Sequence, residues 1–163
     1  TEQKIQGRAA DYVLAPGGVD ALVVEAKRIG APLRDKQIFQ ATSYAAYAGI
    51  RWALLTNVVN WQLYRVATED KVEADLVFAL DLQGGLDGDS AYRLMLLSKT
   101  GITRCELLDK LWRKKVALSQ ESLIAAILNE EVLNKIRAVL LRERGYPVTH
   151  QEIQDAIERE LLR

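Results

Sequence analysis

Two strand-like segments precede a helix and a third strand follows it, and this order restricts what the first half of the chain can build. Ala9–Ala15 (AADYVLA) and Ala21–Arg28 (ALVVEAKR) have the apolar, β-branched composition of strands, and Pro16–Gly17–Gly18 between them is a turn sequence. The connecting loop is roughly five residues, longer than the tightest hairpin loops. Gly30–Pro32 ends the pair. Arg34–Ala48 has helical spacing and good helix formers, with Gly49 where a C-terminal cap belongs. Arg51–Asn57, Asn60–Thr68 and Asp75–Leu82 are expected as three further strands. A helix between two strands permits a parallel crossover, which is right-handed in nearly all cases. The expected class is therefore α/β (α+β) with a mixed β-sheet. The nearly continuous apolar start of the second strand implies that both of its faces are covered there.

After Gly84–Gly88 the pattern turns helical to the end, so the expected division is 1–86 for the sheet and 87–163 for a C-terminal all-helical segment. Ser90–Ser98 is one helical segment. Thr103-x-x-Glu106 has the form of a capping box ahead of an apolar-periodic run to about Lys115. Ser119 precedes a long amphipathic stretch with Leu123, Ile124, Ile127, Leu128, Val132, Ile136, Val139 and Leu140 near one side. Gly145 and Pro147 stop it, and Thr149-x-x-Glu152 opens a last helix through Leu161.

The composition removes several chemistries. The chain has 163 residues, long enough for one domain or two small ones, with 22 basic and 22 acidic side chains. A net charge of zero argues against a general nucleic-acid coat protein, though not against an enzyme that meets phosphates at one local site. The single Cys, Cys105, excludes a disulfide framework or a multi-thiolate zinc site, and the single His, His150, excludes multi-His metal sites. A metal here must rely on oxygen ligands, which means Mg²⁺, Mn²⁺ or Ca²⁺. No apolar run approaches a membrane span and Thr1–Gly7 lacks the core of a signal peptide, so an intracellular, cytoplasmic protein is expected. Cys105 reads as packing and His150 as an exposed first-turn residue. Arg113-Lys114-Lys115 complements a helix dipole. Gly84–Gly88 (GGLDG) lacks the spacing of a phosphate loop and reads as a connection.

Glu25-Ala26-Lys27 ends the second strand. Alternation puts Glu25 and Lys27 on one side, roughly 7 Å apart. Glu25 can bind a cation, the Ala26 carbonyl can add a hard oxygen, and Lys27 can orient or deprotonate a water or stabilise charge on a phosphate. Glu-x-Lys also occurs at Glu2/Lys4 and Glu69/Lys71, where it reads as solvated charge. Context separates Glu25/Lys27 from these: it closes an apolar strand, and the preceding strand carries Asp11 among Ala9, Ala10, Tyr12 and Val13. A charge in apolar strand sequence is costly to bury unless paired or metal-bound. The following helix carries Gln37, Gln40, Tyr44 and Tyr47 within a stripe of roughly 80°. Ile38, Phe39 and Ala45 are expected to be buried more deeply than Gln37, with Gln40 and Tyr44 turned towards the acid cluster.

Asp11 in "ADYVLA", "VVEAK" with Glu25 and Lys27, Gln40-x-x-x-Tyr44 and then "LLTNVVNWQLYRV" resemble the PD-(D/E)XK nuclease superfamily, most closely the N-terminal nuclease domain of type I restriction enzyme R subunits. The resemblance covers about Thr1 to Leu82. It implies a restriction-endonuclease-like core, with Asp11, Glu25 and the Ala26 carbonyl on Mg²⁺ or Mn²⁺, Lys27 as the catalytic lysine, and Gln40 and Tyr44 as an auxiliary polar pair. It implies structural roles for Asn57, Asn60 and Trp61. The family's first core helix, which usually offers another acid, has no counterpart in the ten residues before Asp11.

Two function classes follow. The first is a Mg²⁺-dependent DNA endonuclease domain whose partners are DNA and a translocase or methyltransferase/specificity assembly. No motor is encoded, since G-x-x-x-x-G-K-[ST] is absent. The second is a non-catalytic interaction or DNA-binding module that keeps the nuclease fold and uses the helical region for a partner or a second copy.

Overall fold

The computed structural model describes residues 3–5, 8–67 and 72–160. Glu2, Glu69 and Lys71 of the two other Glu-x-Lys pairs lie outside them, as do Gln6, Thr68 and Leu161 at the ends of expected elements. The chain forms two compact units, Thr1–Arg113 and Lys114–Arg163.

The first unit opens with a small antiparallel pair, β1 (Gln3–Ile5) and β2 (Arg8–Ala10). β3 (Tyr12–Leu14), β4 (Leu22–Ala26), α1 (Asp35–Tyr47), β5 (Trp52–Thr56), β6 (Asn60–Ala67) and β7 (Glu73–Asp81) follow. The sheet is five-stranded in the order β3-β4-β5-β6-β7. Among the described strands of this sheet only β4 and β5 run parallel, joined through α1, and every other pair is antiparallel. The fold is thus a mixed sheet with C-terminal helices. The expected strand Ala9–Ala15 is broken at Asp11. Residues before the bend pair with β1 and residues after it pair with β4.

Strand alternation sends side chains to two cores. Val13, Val23, Ala53, Leu55, Tyr64 and Val66 pack under α1 with Ala41, Tyr44 and Ala45. Leu22, Trp52, Leu54, Leu63, Phe78 and Leu80 pack on the other face with Leu96, Ile102 and Leu108. Those last three belong to α2 (Gly88–Leu96), α3 (Lys99–Thr103) and α4 (Cys105–Ala117). A strand covered on both faces has no polar side, which is why every position of β5 is buried. The expected boundary at 86/87 marks the change from strand to helix. The compact unit continues to Arg113 because α2, α3 and most of α4 cover the second face.

Local chemistry sets the helix ends. Asp87 accepts from the Ser90 amide and Ser98 from the Gly101 amide, capping α2 and α3. The expected Thr103/Glu106 capping box does not form. Thr103 ends α3, its hydroxyl donating to the Lys99 carbonyl at 2.7 Å, and α4 opens at Cys105, whose side chain lies outside the described set. Arg65 of β6 stands 5.3 Å from the ring centroids of both Trp52 and Trp112, with Asp109 at 3.9 Å, and so ties α4 to the sheet by cation–π and ionic contact.

The second unit holds α5 (Gln120–Ile127), α6 (Glu130–Arg144) and α7 (His150–Glu160). The expected single amphipathic stretch is interrupted because Asn129 accepts from the Glu131 amide and starts a new helix. Ser119 caps α5, and Gly145 closes α6 in the left-handed conformation that glycine tolerates without a Cβ penalty. The Thr149/Glu152 box forms in both directions, at 2.8 and 3.2 Å. His150 opens α7, half-buried, with Nε2 2.9 Å from Asn134 Oδ1.

Among the described glycines, only Gly101 has other atoms within 4 Å of where a Cβ would stand. A Cβ there would stand 2.2 Å from the Leu96 carbonyl oxygen, so α3 can fold back on α2 only with glycine. Gly101→Ala should destabilise the protein by about 3 kcal/mol or more in urea unfolding. Gly84→Ala, where no atom lies within 4 Å of the added Cβ, should change stability little.

Candidate active site

The β3–β4 register pairs Tyr12 with Val24, which puts Asp11 at the level of Glu25 one step further on. The Ala26 amide donates to Asp11 Oδ2 at 2.8 Å, so Asp11 is held at the end of β4 by the backbone of the strand that carries Glu25. Glu25 lies two residues after Val23 and therefore projects to the α1 side, where it is 0% exposed. Its Oε1 accepts a charge-assisted hydrogen bond from Lys27 Nζ. Its Oε2 is buried and finds no hydrogen-bond partner among the described residues. Lys27 shares that side, its side chain 26% exposed, and its amide extends the parallel ladder by donating to the Thr56 carbonyl at 2.7 Å.

These surroundings shift the titration of Glu25. Burial raises its pKa above the ordinary carboxylate value, and the negative charge of Asp11 acts in the same sense. The Lys27 ammonium and the Asp11 backbone pull the other way without cancelling the effect of burial. The result is a buried acid with one satisfied oxygen, one free oxygen and a second carboxylate beside it.

The turn after β5 fixes the same end of the sheet. Asn57 is buried, its Nδ2 donates to the Ala31 carbonyl at 2.8 Å, and its Oδ1 accepts from the Asn60 amide at 2.7 Å. The loop after β4 is thereby tied to the β5–β6 turn. Trp61 Nε1 closes that turn by donating to the Val58 carbonyl at 2.8 Å. Asn57, Asn60 and Trp61 are thus structural residues around the cluster.

The helical pair is divided between core and solvent. Tyr44 is buried in the core beneath α1, where burial raises its phenol pKa and the charge of Asp20 acts in the same sense. Gln40 is exposed on α1, and Phe39, expected inside, is 67% exposed. Ile38 and Gln37 are both half-buried, whereas Ala45 is fully buried. The reason is the stripe α1 actually presents. Ile38, Ala41, Tyr44, Ala45 and Ala48 share one side, and its alanines let the helix approach the sheet closely. That side places Phe39 in solvent and draws the Tyr44 ring into the core.

Among the described residues no group of three or more His, Cys, Asp or Glu side chains gathers as a metal site. Any cation at this end of the sheet would have two carboxylates, Asp11 and Glu25, with the Ala26 carbonyl as the third oxygen of the expected set. That donor set fits Mg²⁺ or Mn²⁺, which take one or two carboxylates and keep several waters. The free buried Oε2 of Glu25 is the atom such a cation would satisfy. Sequence reasoning missed the Asp11–Ala26 amide bond and the Lys27–Thr56 bond, because both are backbone contacts created by strand pairing.

A folded-state pKa raised above the unfolded value means that Glu25 favours folding when protonated. Its contribution is fully present below about pH 4.5 and is lost as pH rises through the folded-state value. Glu25→Gln should therefore raise the apo Tm at pH 8, and the gain should vanish as the pH falls below 4.5. Thermal unfolding monitored by circular dichroism across that range checks the sign.

No family model matches the chain, and neither a curated protein nor a solved structure is significantly similar to it.

Proposed function

We propose that this chain is a Mg²⁺- or Mn²⁺-dependent DNA endonuclease domain of the PD-(D/E)XK type, similar to the nuclease domain of type I restriction R subunits. The observation that carries this proposal is the buried Glu25 carboxylate, flanked by Asp11 and joined to Lys27 at the carboxyl end of β4. Asp11 and Glu25 would hold the cation, with the Ala26 carbonyl beside them. The metal, when bound, supplies a Lewis acid that polarises a phosphoryl oxygen and lowers the pKa of water. Lys27, once its ammonium is released from Glu25, stabilises charge that develops on the phosphate or holds the attacking water. Asn57 and Thr56 keep Lys27 at the strand end through the loop and ladder contacts. Restriction-type cleavage places the protein in the cytoplasm, acting on DNA with a translocase or a methyltransferase/specificity assembly. No helix among the described residues is long and apolar enough to cross a membrane.

A second proposal, a non-catalytic interaction or DNA-binding module, is favoured by one observation. Tyr44 lies in the core and Gln40 faces away from it, so α1 is not committed to an auxiliary catalytic pair.

Nicking of supercoiled plasmid by the purified chain separates the two. Wild type should nick with Mg²⁺ or Mn²⁺ and stop on chelation. Folded Glu25→Gln should lose about 100-fold or more in rate. Lys27→Ala should lower turnover by a similar factor of about 100 while leaving the Mg²⁺ concentration for half-maximal rate nearly unchanged. Undiminished nicking by folded Glu25→Gln would assign the activity to another site, and metal-independent inertness of the wild type would favour the interaction module.

A further inference from the structure

Among the described residues Val58 alone combines a side chain with a left-handed backbone, at φ 77°. A β-branched residue in that region costs about 1–3 kcal/mol, and Gly or Asn is the residue such a turn ordinarily takes. Burial does not offset this cost, because Val58 is 57% exposed. The turn is nonetheless held firmly. The Val58 amide donates to Thr56 Oγ1 at 3.0 Å, the Asn57 amide to the Asn60 carbonyl at 3.1 Å, and Trp61 Nε1 to the Val58 carbonyl at 2.8 Å. An apolar side chain is therefore fixed outward from the carboxyl end of β5.

On the loop after β4, Ile29 is 70% exposed. The two loops are fastened together by Asn57 Nδ2 on the Ala31 carbonyl and by the Lys27 amide on the Thr56 carbonyl. Two apolar projections thus stand at the end of the sheet that carries Glu25 and Lys27. Between residues 27 and 36 the chain holds Lys27, Arg28, Arg34 and Lys36 against a single acid, Asp35. Arg28, Arg34 and Lys36 are exposed, and none of them forms an ion pair with a described residue. Asp35 and the exposed Asp81, which pairs with Asn60 across the β6–β7 ladder, are the exposed acids at this end, so three exposed cations stand against two.

We propose that Ile29 and Val58 form a wedge that enters the base stack of duplex DNA, while Arg28, Arg34 and Lys36 hold the flanking phosphates. Branched aliphatic side chains inserted between base steps unstack and kink a duplex, and the phosphate contacts made along the bent path offset the unstacking. The duplex presented to Glu25 and Lys27 would then be locally distorted, and flexible pyrimidine–purine steps would be favoured. The inference rests on the nuclease proposal for its substrate, but binding and unstacking can be measured without cleavage.

The test uses the whole chain in EDTA and a duplex carrying a fluorescent adenine analogue at a central pyrimidine–purine step. Wild type should bind and raise the analogue's fluorescence. Val58→Asn, which removes the apolar tip and accepts the left-handed backbone, should melt at a higher temperature than wild type. It should bind roughly 5-fold more weakly, with the fluorescence rise largely lost. Ile29→Ser should lose affinity and signal in the same way. Both variants should keep the wild-type salt dependence, whereas Arg28→Ala should reduce the slope of log K against log salt by about one contact. Unchanged affinity and fluorescence in Val58→Asn and Ile29→Ser would overturn the wedge, as would failure of the wild type to bind duplex. If the two variants nick plasmid with Mg²⁺ like wild type while wild type gives no fluorescence rise, the wedge falls and the nuclease proposal stands. If wild type unstacks DNA but never nicks it, the nuclease proposal falls and the wedge stands.

Discussion

The parallel pairing of β4 with β5 is the constraint on which the first unit depends. It requires α1 as a crossover, and the crossover covers one face of the sheet with Ala41, Tyr44 and Ala45. It also makes β4 and β5 central strands, whose opposite face needs its own cover. Leu96, Ile102 and Leu108 provide that cover from three successive helices. The same pairing aligns the carboxyl ends of β4 and β5, so that Glu25, Lys27 and the β5–β6 turn meet at one edge of the sheet. Crevices outside the carboxyl ends of parallel strands are where open α/β sheets place their ligands.

Glu25 works against stability at that edge. A carboxylate with no exposure is costly even when one oxygen meets an ammonium, and the Asp11 charge beside it adds to the cost. A sheet selected for stability alone would be served by an apolar residue at this position. Proteins tolerate such conflicts at functional sites and compensate elsewhere. Here the compensation lies in a dense set of backbone contacts: the Ala26 amide on Asp11, the Lys27 amide on the Thr56 carbonyl, and Asn57 bridging two loops. Val58 repeats the conflict on the outside of the same turn, a strained and exposed side chain held in place by its neighbours.

The order strand, strand, helix, strand was legible because it depends on local patterns: β-branched runs, the Pro16–Gly18 turn and helical spacing closed by Gly49. So were Ser119, Gly145 and the Thr149/Glu152 box, where a side chain acts on backbone a few residues away. Thr103 shows the limit. Its three-residue spacing to Glu106 matches a capping box, but Thr103 ends α3, its hydroxyl bonded back to the Lys99 carbonyl and the backbone leaving the helix at Arg104. Asn129 is the reverse case, a break hidden within a continuous apolar pattern that a short side chain capping the next helix was enough to create.

The sequence by itself determined the mixed sheet and the helical second half, and it singled out Asp11, Glu25 and Lys27 as candidates, because strand phase alone places Glu25 and Lys27 on one side and a charge within an apolar strand stands out. Tertiary structure decided which face α1 buries, and with it the fates of Phe39, Gln40 and Tyr44. A helix rich in alanine offers several nearly equivalent apolar stripes, and only the sheet beneath selects the one that packs closest. Tertiary structure also decided that α2, α3 and most of α4 belong with the sheet, since the demand for a second cover arises only after β4 and β5 have paired and left a bare apolar face.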